Sequence, residues 1–136
     1  MALIVDTGVF ITLERRQRPW QEFLAAESAG ELTAIAAITA SELLAGVYKA
    51  DTPTRRSNRE QHINEILASL PVLPFDLTAA REHARIWALL DSLAQPIGRY
   101  DMLIAATALA NGSAVLTDNV REFGRIPGLE VVRPHW

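Results

Sequence analysis

Short apolar runs alternate along this chain with longer segments of mixed polarity. The runs fall at residues 2–5 (ALIV), 32–38 (LTAIAAI), 72–75 (VLPF), 114–116 (AVL) and 129–132 (LEVV), several of them β-branched. Mostly apolar runs without strict alternation are the pattern of strands covered on both faces. Between them lie segments of helical spacing. Residues 41–50 form one, and residues 77–93 another, with Ala80, Ala84, Trp87, Leu90 and Leu93 on one apolar stripe. Residues 101–110 contain AATALA, a strongly helix-favouring string. The most polar stretch, residues 51–61 (DTPTRRSNREQ), reads as a loop entering a helix. Strands alternating with helices predict an α/β domain, three layers around a mostly parallel sheet of four or five strands. In such sheets ligands sit beyond the carboxyl ends of the strands.

Four acids fall where that rule directs attention. Asp6 follows LIV, Asp118 follows AVLT, Glu42 opens the helix SELLAGVYKA, and Asp101 opens DMLIAATALA. Each has a structural explanation. Asp6 or Thr7 suits an N-cap, and Thr39-Ala-Ser-Glu42 is a capping box. Asp101 would favour the helix macrodipole, and Asp118-Asn119 reads as another cap. Together they predict more, because a parallel sheet brings these ends to one edge. Carboxylates a few Å apart repel, and some would take up protons unless a cation intervened. An all-oxygen cluster suits Mg2+ or Mn2+. The chain has no cysteine, and its three histidines (His62, His83, His135) lie away from the strand ends, which argues against zinc.

Composition sets the remaining bounds. The 136 residues, 49% hydrophobic and 21% charged, fit one domain spanning 1–136, with a core that needs no disulfides. No apolar run reaches membrane-spanning length, and ALIVD lacks the charged flank of a secretory signal. The expectation is a soluble, cytoplasmic protein. A net charge of −3 disfavours a general nucleic-acid coat. Yet Lys49 is the only lysine, and the arginines cluster at Arg15, Arg16 and Arg18 and at Arg55, Arg56 and Arg59. Guanidinium groups grip phosphate bidentately, although a solvated surface is the simpler explanation.

The ordered set IVDTGVF, ITASELLAGV, IGRYDMLIAATALANG and LTDNVREFGRIPGL resembles the successive motifs of the PIN domain, and more closely the VapC toxins of type II toxin–antitoxin pairs. The resemblance covers essentially the whole chain. It implies an α/β/α sandwich and a Mg2+- or Mn2+-dependent endoribonuclease cutting an RNA such as a tRNA or rRNA. It also implies a homodimer, held in check by a cognate VapB-type antitoxin that occupies the acidic groove. Leu43, Leu44, Val47 and Tyr48 would then offer that antitoxin an apolar surface. The equivalents of Asp6, Glu42 and Asp101 form the family's acidic site, joined by a residue in Thr117-Asp118-Asn119. Many relatives carry the last acid two places after the threonine, where this chain has Asn119. Asp118 is the nearest acid, and Asn119 could supply a neutral oxygen or position water. Thr7 and Thr117 stand as supporting hydroxyls, and Arg15, Arg16 and Arg99 as candidate phosphate contacts.

Three other readings compete. Asp6-Thr7-Gly8 is also the signature of aspartic proteases, but their fold is almost wholly β, against at least three helices here. A phosphoacceptor signalling domain would carry adjacent acids after the first strand and a lysine after the last; Asp6 stands alone and Lys49 lies elsewhere. A catalytically inert PIN-like binding module is the third.

Overall fold

The computed structural model describes residues 2–136. Five short strands, β1 (Leu3–Val5), β2 (Thr33–Ala36), β3 (Val72–Leu73), β4 (Ala114–Leu116) and β5 (Val131–Val132), form one sheet in the order β3-β2-β1-β4-β5. Every pairing is parallel. The crossovers are helical. α1 (Thr7–Arg15) and α2 (Trp20–Ser28) join β1 to β2, and α3 (Ala37–Tyr48) and α4 (Pro53–Ser69) join β2 to β3. α5 (Leu77–Ser92) and α6 (Arg99–Ala110) then carry the chain back to β4, and the single turn α7 (Val120–Phe123) precedes β5.

The strands are buried on both faces, and their side chains divide by the two-residue period of a pleated strand. Leu3, Val5, Ile35, Ala114 and Leu116 meet helices α1 to α4 in one core, through Phe10, Leu13, Phe23, Leu43 and Ile66. Ile4, Ala34, Ala36 and Val115 face the other way, against Ile86 and Leu90 of α5, Ile104 of α6, and Phe123 and Ile126. The result is the expected three-layer α/β/α sandwich. From β1 the chain winds outward through β2 to β3 with its helices on one face, then returns to β4 with its helices on the other. The order of winding therefore reverses between β1 and β4, all strands staying parallel. At such a point the following helices part and leave a crevice above the strand ends.

Several boundaries differ from the sequence reading. The predicted strand 32–38 stops at Ala36, and α3 starts at once with Ala37. Ile38 is β-branched and read as strand, yet its packing against the core beneath α5 and α6 outweighs its propensity. Much of the polar stretch 51–61 is helix: Thr52 caps α4 by accepting from the Arg55 N–H, and Pro53 takes the first turn, where its missing N–H costs nothing. Helix α2 adds a further element, its Trp20, Phe23 and Leu24 buried. In α5 the buried stripe is Ala79, Ile86 and Leu90, while Trp87 and Leu93 face outward. Leu43 and Val47 are core residues, whereas Leu44 and Tyr48 line a surface groove of about 530 Å³. No helix among the described residues is long and apolar enough to cross a membrane.

Ile4 is fully buried in the central strand. Ile4→Ala should cost about 2–5 kcal/mol by lost transfer energy plus a residual cavity. Urea titration checks this, the midpoint falling while the slope is unchanged.

Candidate active site

Asp6 leaves the end of β1 with extended backbone and occupies the N-cap position of α1, but its side chain does not cap that helix. The pairing Val5↔Leu116, continued one step, sets Asp6 beside Thr117. There the Thr117 hydroxyl donates to Asp6 Oδ2 at 2.7 Å. The same hydroxyl accepts from the Asn119 N–H at 2.9 Å, so its proton is aimed at the carboxylate. Asp6 is buried, and that burial raises its pKa. The bond from Thr117 and the N–H groups of Thr7 and Gly8 pull it back, and the Asp118 charge pushes it up again.

Glu42 does not form the expected capping box. Because α3 starts at Ala37, Glu42 lies in its second turn and reaches across to α1, where Thr7 Oγ1 donates to Glu42 Oε1 at 2.8 Å. Thr7 also shares a buried hydroxyl–hydroxyl bond of 3.0 Å with Thr39. Thr7 thus holds Glu42 by its side chain and makes no helix cap. Desolvation raises the Glu42 pKa, the bond from Thr7 opposes this, and the Asp6 charge adds to it.

Asp101 lies in the first turn of α6, behind the N-cap Gly98. A methyl group at Gly98 would come within 3.4 Å of Asp101 Oδ2, so glycine leaves room for the carboxylate. Burial, then the charges of Asp6 and Glu122, push the Asp101 pKa up to about 6 from the usual 3.8. Asn119 Nδ2 donates to Asp101 Oδ2 at 3.1 Å and to Glu122 Oε2 at 3.0 Å. Asn119 therefore acts as a donor that ties two acids together.

Asp118 stands apart from the other three acids. It is exposed, and Trp136 Nε1 donates to both its carboxylate oxygens at 2.9 Å. Past the end of β4 side chains continue to alternate, so Thr117 and Asn119 face the site and Asp118 faces the C-terminal tail. It bears on Asp6 by charge alone. The acid that joins the cluster is Glu122, which the sequence reading missed. Its signal was the spacing of Asn119 and Glu122, three apart across the first turn of α7.

The arginines divide. Arg16 lies over the Trp136 ring, 5.0 Å from its centre, and Trp136 in turn stacks on Phe23. Arg15 is exposed at the end of α1, and Arg99 lines a cavity between α5 and α6. Neither Arg15 nor Arg16 contacts the acids.

The donor set is carboxylate, hydroxyl and amide, the chemistry of a hard divalent cation. No ion pair among the described residues engages Asp6, Glu42 or Asp101. No three acidic or histidine side chains there stand ready-made around a metal position. The acids are tied instead to Thr117, Thr7 and Asn119. All three are carboxylates withdrawn from water without an ionic partner, so the residues fit a cation chemically.

A parallel α/β/α sandwich with acids gathered at its switch point defines a class, and the comparisons agree with it. The PIN domain family matches residues 3–129. Ribonuclease VapC1 of Rickettsia felis is 36% identical over 135 residues, covering 97% of this chain and 96% of that protein. The tRNA(fMet)-specific endonuclease VapC of Salmonella typhimurium is 37% identical over 97 residues, 71% of each chain. Among solved structures, DNA-bound VapBC from Salmonella typhimurium superposes with a TM-score of 0.85 at 29% identity, covering 98% of both chains. The chain belongs to the PIN-domain family, in its VapC branch.

A carboxylate whose folded pKa is raised favours the fold most when protonated. That contribution is full below the unfolded value of 3.8 and is lost as pH rises through about 6. Asp101→Asn should therefore melt a few degrees above the parent chain at pH 7.5 in chelator-treated buffer, and the gap should close at pH 4. Calorimetry at both pH values checks the sign.

Proposed function

We propose that this chain is an endoribonuclease toxin of the VapC type that hydrolyses RNA phosphodiesters and is inhibited by a VapB-type antitoxin. The observation that carries this reading is the gathering of Asp6, Glu42 and Asp101 above the β1/β4 switch point, each held by a neutral donor. The likeness to proteins named as VapC ribonucleases over nearly the whole chain supports it. So does the likeness to a VapBC complex at 29% identity for the antitoxin partner.

Asp6, Glu42 and Asp101 would hold a Mg2+ or Mn2+ ion, with Glu122 at its edge. When bound, the ion lowers the pKa of water and offsets charge developing at phosphorus. The chain's own residues supply orientation. Thr117 fixes the Asp6 carboxylate, Thr7 fixes Glu42, and the Asn119 amide fixes Asp101 against Glu122. Because these bonds restrict rotamers before substrate arrives, less ordering remains to be done at the reacting phosphate. The hydroxyl and amide donors leave the carboxylates ionisable, which a lysine or arginine partner would not do without competing for the cation's place. That same unmet charge would attract a cationic side chain from an antitoxin.

Purified chain should cleave RNA with Mg2+ or Mn2+ and lose activity in EDTA. Asp6→Asn and Asp101→Asn should fall to background; full activity in both with Mg2+ present would sink the reading. Asn119→Ala, which frees two carboxylates, should cost roughly 10–100-fold, as losses of outer ligand supports do. Asp118→Asn should stay within a few-fold of the parent chain, and the contrast between these two is read in one gel assay.

A further inference from the structure

Beside the acids lies a feature that the cleavage chemistry does not use. One stripe of α3, at the spacing that places residues on one helix face, reads Ile38, Glu42, Ala45 and Lys49. With Ser41 and Tyr100 it lines a cleft of about 220 Å³. Glu42 is thus shared between this cleft and the acidic cluster. Lys49 is the chain's only lysine, and it stands at the α3 end of the cleft, opposite the negative charge. Tyr100 directly precedes Asp101 and is 55% exposed, a large aromatic surface left beside a charged site. Ala45 keeps the cleft open, because any longer side chain there would fill it. The volume is below that of sites for drug-sized ligands and suits a single ring.

Tyr100 is also a ridge. On its other side it lines a second, larger cavity of about 660 Å³ with Trp87, His83 and Arg99. Trp87 is 52% exposed, and His83 is packed between it and Phe75. Exposed aromatic rings interleaved with single cations are how proteins hold unpaired nucleotides, stacking on bases while the cations follow the phosphates.

We infer that Tyr100 and Lys49 form the seat of a nucleotide next to the scissile phosphate, Tyr100 stacking on its base and Lys49 contacting its phosphate. This inference rests on the ribonuclease reading above. It makes the substrate strand single-stranded at that position, because a paired base cannot present its face to Tyr100. The α3 stripe then serves both ends of one nucleotide, with Glu42 on the reacting side and Lys49 on the flanking phosphate.

The test measures binding and cleavage separately. Binding of a short fluorescein-labelled oligoadenosine RNA is followed by anisotropy in Mg2+ buffer, in the Asp6→Asn background where cleavage is blocked. Tyr100→Ala should weaken binding about 5- to 150-fold, the range of one lost base stack, and Tyr100→Phe should restore it. Ala45→Leu, which removes no group and only fills the cleft, should weaken binding as well. Lys49→Ala should flatten the salt dependence by about 0.7 in the log–log slope, one phosphate on a single strand. Unchanged affinity in Tyr100→Ala and Ala45→Leu would overturn the inference. So would a change confined to sedimentation state or to capture of an antitoxin, which would assign Tyr100 to a protein interface. Failure of the ribonuclease reading shows elsewhere, as a parent chain that cleaves no RNA with Mg2+ or Mn2+, or as cleavage that Asp6→Asn does not reduce.

Discussion

The hydrogen bond from Thr117 to Asp6 joins two strand ends that are 111 residues apart in sequence. It exists only because β1 pairs with β4 in parallel register, and that pairing follows from the chain winding outward on one face and back on the other. A carboxylate with 8% exposure is costly unless donors surround it. Thr117 is fully buried as well, and its own acceptor is filled by the Asn119 N–H, so the hydroxyl has one orientation open to it. From this pair the rest of the site follows. Asn119, fixed by its backbone bond to Thr117, extends its amide to Asp101 and Glu122, and Asp6 raises the pKa of both Glu42 and Asp101 by its charge.

The partners of these acids are hydroxyls and an amide, and this choice separates the site from an ordinary buried ion pair. An arginine beside Asp6 would lower its pKa and stabilise the fold, but it would occupy the place of a catalytic cation. Neutral donors hold each carboxylate in position and leave its charge unmet. Desolvation is the leading cause of the upward shift at all three acids. Burying a carboxylate without an ionic partner costs free energy, and a cation placed among these acids would offset that cost. Perturbed acids in a crevice mark functional sites for this reason.

The two cores divide the labour of building that crevice. Helices α1 to α4 pack through large residues such as Phe10, Trp20 and Phe23, whereas the opposite core uses alanines of α6 between isoleucines. The small side chains at Ala105, Ala106 and Ala108 let α6 lie close to the sheet, and that places Asp101 in its first turn over the strand ends. The Phe23–Trp136 stack closes the tail over α2 and draws Asp118 outward with it.

Much of this was legible in the residues. Apolar runs without alternation revealed a parallel sheet, because strands buried on both faces have no polar face to display. Asp6 at the end of β1 and Asp101 in the first turn of α6 stand where the pattern put them, whereas Glu42 lies a turn further into its helix. The limits of α3, the presence of α2 and the phase of α5 were not legible, since tertiary burial rather than local propensity decides them. The roles of Asp118, Asn119 and Glu122 also lay beyond the sequence. Which of three neighbouring polar residues faces a site depends on where β4 ends and how the next turn is set. That depends on strand pairing and on Trp136, both distant along the chain. The sequence by itself determined the class of fold and which acids could gather. The tertiary structure decided which of them do, because side-chain direction past a strand end is set by the register of the sheet and not by local spacing.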